Sequence, residues 1–269
     1  MHSDRVVRLL AQAELLMPSE TKPGLLVSKI RVSDLYPYLK GKGRNFYVHS
    51  PWPTADVDSV FFGPDSYRYL RYMAPLTHRI SNCKVAIDMC TGAGVGAIHL
   101  AKASPTAKVW GLDINPKALA FARINAEHAC PDIAPGRLQM LYSDAYTTVR
   151  SELKGTVDVI AIDPPFIADD ARTYAQGGYL GIEFTIGMFK KSQEMLRDGG
   201  ETWVHMAAPI AFDGRDIFRE EIEKLEGWEI ADYEIIDVDI FGNEMENTKT
   251  YSGIGHLASI GLVFKKVGN

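Results

Sequence analysis

The feature that most constrains this fold is a regular alternation of apolar runs and helical patterns, which begins near residue 65. The apolar runs are rich in β-branched side chains and predict buried strands, while the segments between them carry apolar residues at helical spacing. Because strands that alternate with helices form a parallel sheet covered on both faces, we predict an α/β fold with a doubly wound, mostly parallel, seven-stranded sheet. The predicted strands are 84–89, 108–112, 138–142, 157–162, 201–206, 229–238 and 259–266.

The predicted helices cover 65–75, 94–103, 116–127, 182–196 and 217–225. The turn Asp198-Gly199-Gly200 is expected to end the helix at 182–196, because glycine favours the backbone conformation that closes a helix. The last two strands are separated by a loop at 239–257 that has no helical pattern. We therefore expect these two strands to pair antiparallel at one edge of the sheet.

Residues 1–64 lack this alternation and are predicted to form a small N-terminal appendage, followed by a catalytic domain at 65–269. The segment 1–16 carries apolar side chains at helical spacing and predicts an amphipathic helix. Proline and aromatic residues are frequent from 18 to 64, and Ser33-Asp34 is expected to cap a short helix that starts at Leu35. We expect one or two helices and a loop here, which act as a lid over the substrate.

Composition and charge exclude several classes of protein. Apolar residues make up 46% of the chain and charged residues 23%, which excludes a disordered chain, collagen and coiled coil. The formal net charge of -5 differs from that of a dedicated nucleic-acid binder, although a basic cluster lies at 40–44. No apolar run is long enough to predict a membrane span. The three cysteines lack metal-like spacing and favour a reducing, cytoplasmic location.

A candidate ligand site follows the first three predicted strands, since ligands of such sheets bind beyond the carboxyl ends of the strands. The first strand leads into a glycine loop at 88–96, where the backbone can turn tightly and approach a ligand. Asp113, after the second strand, can accept two hydrogen bonds from a ribose diol, and Ser143-Asp144-Ala145 follows the third strand, where an adenine would be contacted. Three interpretations remain: a nicotinamide dinucleotide site, an S-adenosylmethionine (SAM) site, and a loop that only permits close packing.

The fourth predicted strand ends in Asp-Pro-Pro-Phe at 163–166, and this motif distinguishes between the three interpretations. Together with the glycine loop and the residues that follow strands two and three, it resembles the class I SAM-dependent methyltransferases. The specific similarity is to the subgroup with an Asp/Asn-Pro-Pro-aromatic motif, which methylates amide or amino nitrogens and includes the release-factor glutamine methyltransferases. The resemblance covers residues 60–206, and it implies SAM as the cofactor.

The resemblance also implies roles for individual residues. Asp163, Pro164 and Phe166 are the expected catalytic residues: the carboxylate and the Pro164 carbonyl accept the N–H groups of the target nitrogen, and the ring stacks on a planar substrate. The expected cofactor contacts are Phe62, Asp88, Cys90, Thr91, Gly92, Gly94, Asp113, Ile114, Ser143, Asp144, Ala145 and Asp163. The expected substrate contacts are Pro165, Phe166, Tyr174 and Tyr179.

Some positions depart from the family pattern or allow two explanations. Cys90 replaces the first glycine of the loop, and Phe166 replaces the usual tyrosine, so that a stacking face is kept and a hydroxyl is lost. Asp65, beside Phe62, is explained equally well as a cofactor contact and as the cap of a helix. His205, at the end of the fifth strand, is interpreted as structural.

The sequence favours N-methylation of a small molecule or of a protein side chain. One alternative is the use of SAM for non-methyl alkyl transfer or for cyclisation, with release of methylthioadenosine. The other is methylation of a nucleic-acid base, which the acidic charge makes the less favoured substrate. Neither a metal nor a membrane partner is expected, and the sequence does not predict the oligomeric state.

Overall fold

The computed structural model describes residues 11, 16–34, 46–51, 54, 56–168, 175–242, 245 and 249–268. Short strands occupy its N-terminal part, and longer strands form its centre. In chain order the strands are β1 (Leu16–Pro18), β2 (Leu26–Ser28), β3 (Arg31–Asp34), β4 (Phe46–His49), β5 (Val85–Met89), β6 (Lys108–Asp113), β7 (Leu138–Tyr142), β8 (Val157–Ile162), β9 (Leu196–Ala211), β10 (Trp228–Ile240) and β11 (Ile254–Lys266).

The central sheet has seven strands in the order β10-β11-β9-β8-β5-β6-β7. The strands from β5 to β9 run parallel to their neighbours, whereas β11 is antiparallel to both β9 and β10. The predicted parallel sheet and the antiparallel pair at its edge are therefore confirmed. The loop between β10 and β11 is shorter than expected, because the two strands extend to Ile240 and from Ile254.

Helices cover both faces of the sheet. They are α1 (Pro64–Met73), α2 (Val95–Ala103), α3 (Pro116–Ala129), α4 (Arg150–Leu153), α5 (Glu183–Met195) and α6 (Ile217–Ile222), with 3-10 helices at Ala74–Ile80, Tyr179–Gly181 and Lys249–Tyr251. The first three pack in one apolar cluster with Ala86 and Val159, and the last three pack in another with Ile87 and Ile160. Successive strand residues thus serve opposite faces, as side-chain alternation requires. None of the described helices is long and apolar enough to cross a membrane.

The parallel register brings the ends of neighbouring strands to one edge of the sheet. Met89 on β5 pairs with Leu112 on one side and with Ile162 on the other, and Ile162 in turn pairs with Val204. The residues that follow these positions lie together at the carboxyl edge. This is the edge where the sequence predicts the ligand site.

The described part of the N-terminal appendage consists of two short hairpins, β1-β2 and β3-β4. Strand β4 is bound to α3, because the Val48 N–H donates to Oδ1 of Asn125 at 2.7 Å. The Tyr47 side chain beside it is 1% exposed. Ser33 and Asp34 belong to β3, where their backbone pairs with β4, and the helix that they are expected to cap lies outside the described residues. Leu35 and most of the segment 1–16 lie outside the described residues, and Leu16 begins β1.

The fourth predicted helix ends within one residue of its predicted bound, but the role expected for the turn at 198–200 is wrong. Helix α5 ends at Met195 and β9 begins at the next residue, so the Asp198-Gly199-Gly200 turn lies within the strand. The pairing of β8 with β9 passes from Val157↔Leu196 to Val159↔Glu201, which leaves extra residues in β9. Gly199 takes φ +71° in this irregular segment. The glycines therefore form a bulge in a strand, a position with the same local signal as a helix end.

Candidate active site

Asp88, near the end of β5, accepts hydrogen bonds from residues around the glycine loop. Its Oδ1 accepts a hydrogen bond from the Tyr69 hydroxyl at 2.9 Å, and its Oδ2 accepts from the Thr91 hydroxyl at 2.5 Å and from the Ala97 N–H at 2.8 Å. The residue is 1% exposed, and burial raises the pKa of its carboxyl to about 6 although the three donors oppose this. Asp88 therefore ties β5, α1 and the start of α2 together through internal bonds.

The loop backbone explains the glycines of the motif and the cysteine among them. Cys90, Gly92 and Gly94 have φ of 59°, 51° and 85°, a left-handed conformation that glycine adopts without strain. Cys90 carries a side chain in this conformation, and burial raises the pKa of its thiol well above the ordinary value. At Gly94 an added Cβ would also meet Ala122 of α3 at 3.1 Å. The backbone thus favours glycine at all three positions, and the packing against α3 adds a steric requirement at Gly94.

Gly96 belongs to the same loop and has no predicted role of its own. A Cβ at Gly96 would lie 2.1 Å from Oδ1 of Asp88 and 2.7 Å from the Tyr69 hydroxyl. The hydrogen-bonded cluster of Asp88 therefore requires glycine at this position. The alternation Gly92-x-Gly94-x-Gly96 is the sequence signal that marks it.

Asp113 ends β6 and faces the glycine loop. Its Oδ2 accepts from the Gly92 N–H and its Oδ1 from the Asn115 N–H, both at 2.9 Å. Burial raises the pKa of this carboxyl. Since a carboxylate oxygen has two lone pairs, each oxygen retains capacity for a second donor. The next residue, Ile114, presents an apolar side chain that is 60% exposed.

The turn after β7 lies next to Asp113. The Ser143 N–H donates to the Asp113 carbonyl at 3.0 Å, and the Ser143 hydroxyl accepts from the Thr148 N–H at 3.2 Å. Ser143 is 2% exposed, whereas Asp144 is exposed. Ala145 takes φ 49°, an uncommon value for a residue with a side chain. The three residues predicted to contact the cofactor thus form one tight turn at the carboxyl edge.

The Asp-Pro-Pro-Phe motif follows β8, which is the neighbour of β5 in the sheet. Asp163 keeps 21% of its side chain exposed, and its Oδ1 lies 2.9 Å from Nδ1 of His205. Pro164 and Phe166 are buried, and Pro165 is half-buried. The Phe166 ring meets the His205 ring edge-on, with centroids 5.9 Å apart. The motif therefore presents a carboxylate between the glycine loop and β9.

The residues after the motif are held by close backbone contacts. The Gly177 N–H donates to the Ile167 carbonyl at 2.8 Å. A Cβ at Gly177 would lie 2.8 Å from the Phe166 Cα, and a Cβ at Gly181 would lie 2.2 Å from the Phe166 carbonyl oxygen. The Tyr251 hydroxyl, from the segment between β10 and β11, accepts from the Ala168 N–H at 2.9 Å. Two separate segments thus support the backbone of the motif.

The structure gives His205 a position that the sequence interpretation did not foresee. Its side chain is fully buried on β9, with Nδ1 toward Asp163 and Nε2 at 3.0 Å from the Ser259 hydroxyl of β11. The Tyr69 ring lies 6.4 Å away on another side. A histidine interpreted as structural is therefore a direct partner of the motif carboxylate.

Phe62 and Asp65, which precede the central sheet in the chain, have different surroundings. The Phe62 ring is 7% exposed and stacks on the rings of Tyr47 and His49, with centroids 5.2 and 5.1 Å apart. It also meets the Tyr67 ring of α1 edge-on, with centroids 5.6 Å apart. Asp65 on α1 is 6% exposed, accepts from Arg68 at 3.1 Å, and has a pKa raised by burial. Among the expected substrate contacts, Tyr179 is 67% exposed, and Tyr174 lies outside the described residues.

The sheet order, the glycine loop, the acid after the second parallel strand and the Asp-Pro-Pro-Phe motif together define the class of SAM-dependent methyltransferases. Residues 73–231 match the family model of the methyltransferase small domain, and the chain belongs to this family. The family predicted from the sequence is confirmed.

Curated relatives are similar to part of this chain. The release factor glutamine methyltransferase of Mycobacterium leprae (strain TN) is 34% identical over 141 residues, which are 46% of this chain and 46% of that enzyme. The 4-amino-L-phenylalanine/4-methylamino-L-phenylalanine methyltransferase of Streptomyces pristinaespiralis is 34% identical over 100 residues, which are 37% of this chain and 32% of that enzyme. The chain thus spans less than half the length of these two relatives.

Solved structures show the same fold at low sequence identity. A putative transferase from Pyrococcus horikoshii has a TM-score of 0.59 and 13% identity, with 98% of this chain and 83% of that chain covered. The M. jannaschii TYW2 in complex with AdoMet has a TM-score of 0.51 and 16% identity, with 91% and 90% covered. These similarities confirm the predicted methyltransferase form of the sheet.

Proposed function

We propose that this protein is a SAM-dependent N-methyltransferase that acts on an amide or amino nitrogen of a protein side chain or a small molecule. The observation that carries the proposal is the position of Asp163 and the Pro164 carbonyl. They lie at the carboxyl edge, on the strand next to the glycine loop. Oδ1 of Asp163 is bound to His205, and no partner for Oδ2 is found in the described part of the chain.

We assign SAM to the loops that follow β5, β6 and β7. The left-handed turn at 90–94 lies beside its amino-acid part, and Asp113 accepts its ribose hydroxyls with the free lone pairs of both oxygens. Exposed Ile114 and the turn at 143–145 contact the adenine. A half-buried carboxylate next to an exposed apolar side chain fits a ribose joined to a planar base. Asp88, buried and bound to three protein donors, acts on the cofactor by shaping the loop.

The reaction needs a nucleophile held in line, which this chain's residues can provide. Bound SAM supplies a methyl group on a positively charged sulfur. The lone pair of an amide or aromatic amino nitrogen is delocalised, so two acceptors on its N–H groups help to turn that lone pair out of the conjugated system. Asp163 Oδ2 and the Pro164 carbonyl are these acceptors. Oδ2 takes the proton that the nitrogen loses once the new N–C bond has formed.

The substrate is assigned to the space beside Asp163 Oδ2 and the Pro164 carbonyl. Pro165 fixes the backbone of the turn, and Phe166, Tyr174 and Tyr179 contact the substrate. The appendage acts as the lid. Its strand β4 is coupled to the cofactor loop through Asn125, whose amide donates to the Val48 carbonyl at 3.1 Å and to the Ala93 carbonyl at 2.8 Å.

The two curated relatives support the choice of substrate class. One methylates the glutamine of a release factor and another methylates the amino group of 4-amino-L-phenylalanine. We propose that the target of this chain is likewise a conjugated nitrogen on a protein or an amino-acid derivative, rather than a nucleic-acid base. The free cysteines Cys83, Cys90 and Cys130 support a reducing, cytoplasmic location.

The test is mass spectrometry of products after incubation of the full chain with SAM and one of three acceptors. These are glutamine-containing peptides, 4-amino-L-phenylalanine, and an RNA oligonucleotide. We expect methylation of the peptides or the amino acid with release of S-adenosylhomocysteine (SAH). Methylthioadenosine as the by-product would favour alkyl transfer or cyclisation, and methylation of the oligonucleotide alone would favour the nucleic-acid alternative.

Asp163→Ala tests the role of the carboxylate. We expect this variant to bind SAM as the native chain does and to lose turnover, because the acceptor for the target N–H is gone. Asp213→Ala, in which an exposed carboxylate distant in sequence is removed, is the matched control and should turn over normally. Normal turnover by Asp163→Ala would refute the proposed mechanism.

A further inference from the structure

The candidate site contains a hydrogen-bonded line of three side chains, of which the mechanism above uses only Asp163. It runs from Asp163 after β8, through His205 on β9, to Ser259 on β11, with contacts of 2.9 and 3.0 Å. His205 and Ser259 are both fully buried. Three neighbouring strands of the sheet therefore contribute one residue each to a single hydrogen-bonded line that ends at the proposed catalytic carboxylate.

The chemistry of the three groups, rather than the distances, assigns the donor in each contact. A carboxylate has no proton to give, so the 2.9 Å contact requires that His205 Nδ1 carries the hydrogen and donates to Oδ1 of Asp163. In the neutral ring Nε2 then accepts, and the Ser259 hydroxyl can donate to it. The Tyr69 and Phe166 rings pack beside the imidazole and limit its rotation. The ring is thereby held in one tautomer and one orientation.

We propose that His205 is the positioning residue of this methyltransferase. Its Nδ1–H fixes Oδ1 of Asp163, so that Oδ2 is presented to the target nitrogen, and Ser259 fixes the tautomer that makes this possible. The inference rests on the proposed role of Asp163 and adds a residue that acts through it. It also explains why a fully buried polar ring is placed on a strand whose neighbouring side chains, Val204 and Met206, are apolar and fully buried.

The first test reads the tautomer without any acceptor substrate. The full chain, labelled with 15N in its histidines and saturated with SAH, is studied by long-range 1H–15N NMR, and the His205 signals are assigned by their absence in His205→Asn. We expect the Nδ1–H tautomer in the native chain, and its loss in Asp163→Ala and in Ser259→Ala. A native Nε2–H tautomer, or a tautomer that does not respond to Asp163→Ala, would overturn the inference.

The second test compares two variants of His205. In His205→Leu the donor is lost, and we expect kcat to fall about 100-fold through misplacement of the carboxylate, while the KM for SAM and the affinity for SAH stay within about twofold. In His205→Asn the side-chain amide occupies the place of Nδ1, so at least about tenfold of the lost kcat should return. His78→Asn, at an exposed residue of the 3-10 helix Ala74–Ile80, is the control and should leave kcat unchanged.

The outcomes separate this inference from the proposed function. Loss of turnover in Asp163→Ala together with normal turnover in His205→Leu would overturn the role of His205 and leave the proposed function intact. Normal turnover in Asp163→Ala would instead refute the proposed function. Equal loss in both His205 variants, or loss of SAH binding in both, would indicate that His205 only maintains the fold and would overturn the inference.

Discussion

Replacement of Asp88 by asparagine is expected to change how the stability of the protein depends on pH. Burial raises the pKa of the Asp88 carboxyl from its ordinary value of 3.8 to about 6, although Thr91, Tyr69 and Ala97 donate hydrogen bonds to it. In the unfolded chain the same carboxyl ionises near its ordinary pKa. Because one pKa unit equals about 1.4 kcal/mol, this difference corresponds to about 3 kcal/mol.

The sign follows from proton linkage. Between about pH 4 and about pH 6 the unfolded chain has released the Asp88 proton and the folded chain retains it, so the folded state binds more protons. The free energy of unfolding contributed by this group therefore falls as the pH rises through this window, and it levels off above about pH 6. Asp88→Asn has no carboxyl to ionise. The unfolding free energy of the variant minus that of the native chain should thus increase by about 3 kcal/mol across the window.

The measurement is urea unfolding of both proteins at several pH values, followed by the fluorescence of the buried Trp110 and Trp203. Asp213→Asn is the control, because Arg215 lowers the pKa of the exposed Asp213 carboxyl, and the corresponding difference should change in the opposite direction. The pKa of Asp88 itself can be read by 13C NMR of its carboxyl carbon. A difference between Asp88→Asn and the native chain that does not vary with pH would refute the reasoning.

Three further predictions concern the same edge of the sheet. Asp113→Ala should weaken SAM binding by about 1–3 kcal/mol in calorimetry, since a carboxylate acceptor is lost, and unchanged affinity would contradict the ribose assignment. Gly181→Ala should lower the free energy of unfolding by about 1–3 kcal/mol, because φ is +75° and the Cβ would lie 2.2 Å from the Phe166 oxygen. Gly187→Ala, in open space on α5, is its control and should stabilise by about 0.5–1 kcal/mol. Cys90→Gly should leave the free energy of unfolding unchanged or raise it by up to about 1 kcal/mol, because strain at φ 59° is removed. A clear decrease in the free energy of unfolding would contradict this.

The central sheet could be predicted because its signals are local. Parallel strands buried on both faces appear in the sequence as continuous apolar runs, and the strand expected at 157–162 has the bounds of β8. The helix expected at Pro116 begins there, since Asn115 caps it by accepting from the Lys117 N–H at 2.9 Å. Each of these features depends on residues within a few positions of one another. A single sequence is sufficient to recognise them.

The appendage could not be predicted in the same way. Strands β3 and β4 have four residues each, too few to display an alternating pattern, and their stability depends on pairing with each other across an intervening segment. In such a segment Ser33-Asp34 has the same local chemistry as the start of a helix. The partner of β3 lies beyond the window of a local pattern, so the sequence contains no local signal for this hairpin.

The candidate site likewise has parts that could be predicted from the sequence and parts that could not. The Asp-Pro-Pro-Phe motif and the glycine loop are runs of consecutive residues, so their chemistry can be proposed from the sequence. His205, in contrast, is separated from Asp163 by 42 positions and from Ser259 by 54. Only because β9 lies between β8 and β11 in the sheet does one side chain on it meet partners from both neighbours. A histidine within an apolar strand has the pattern of a core residue until the strand order is known, and the orientation of Asp163 then depends on that order as much as on the motif.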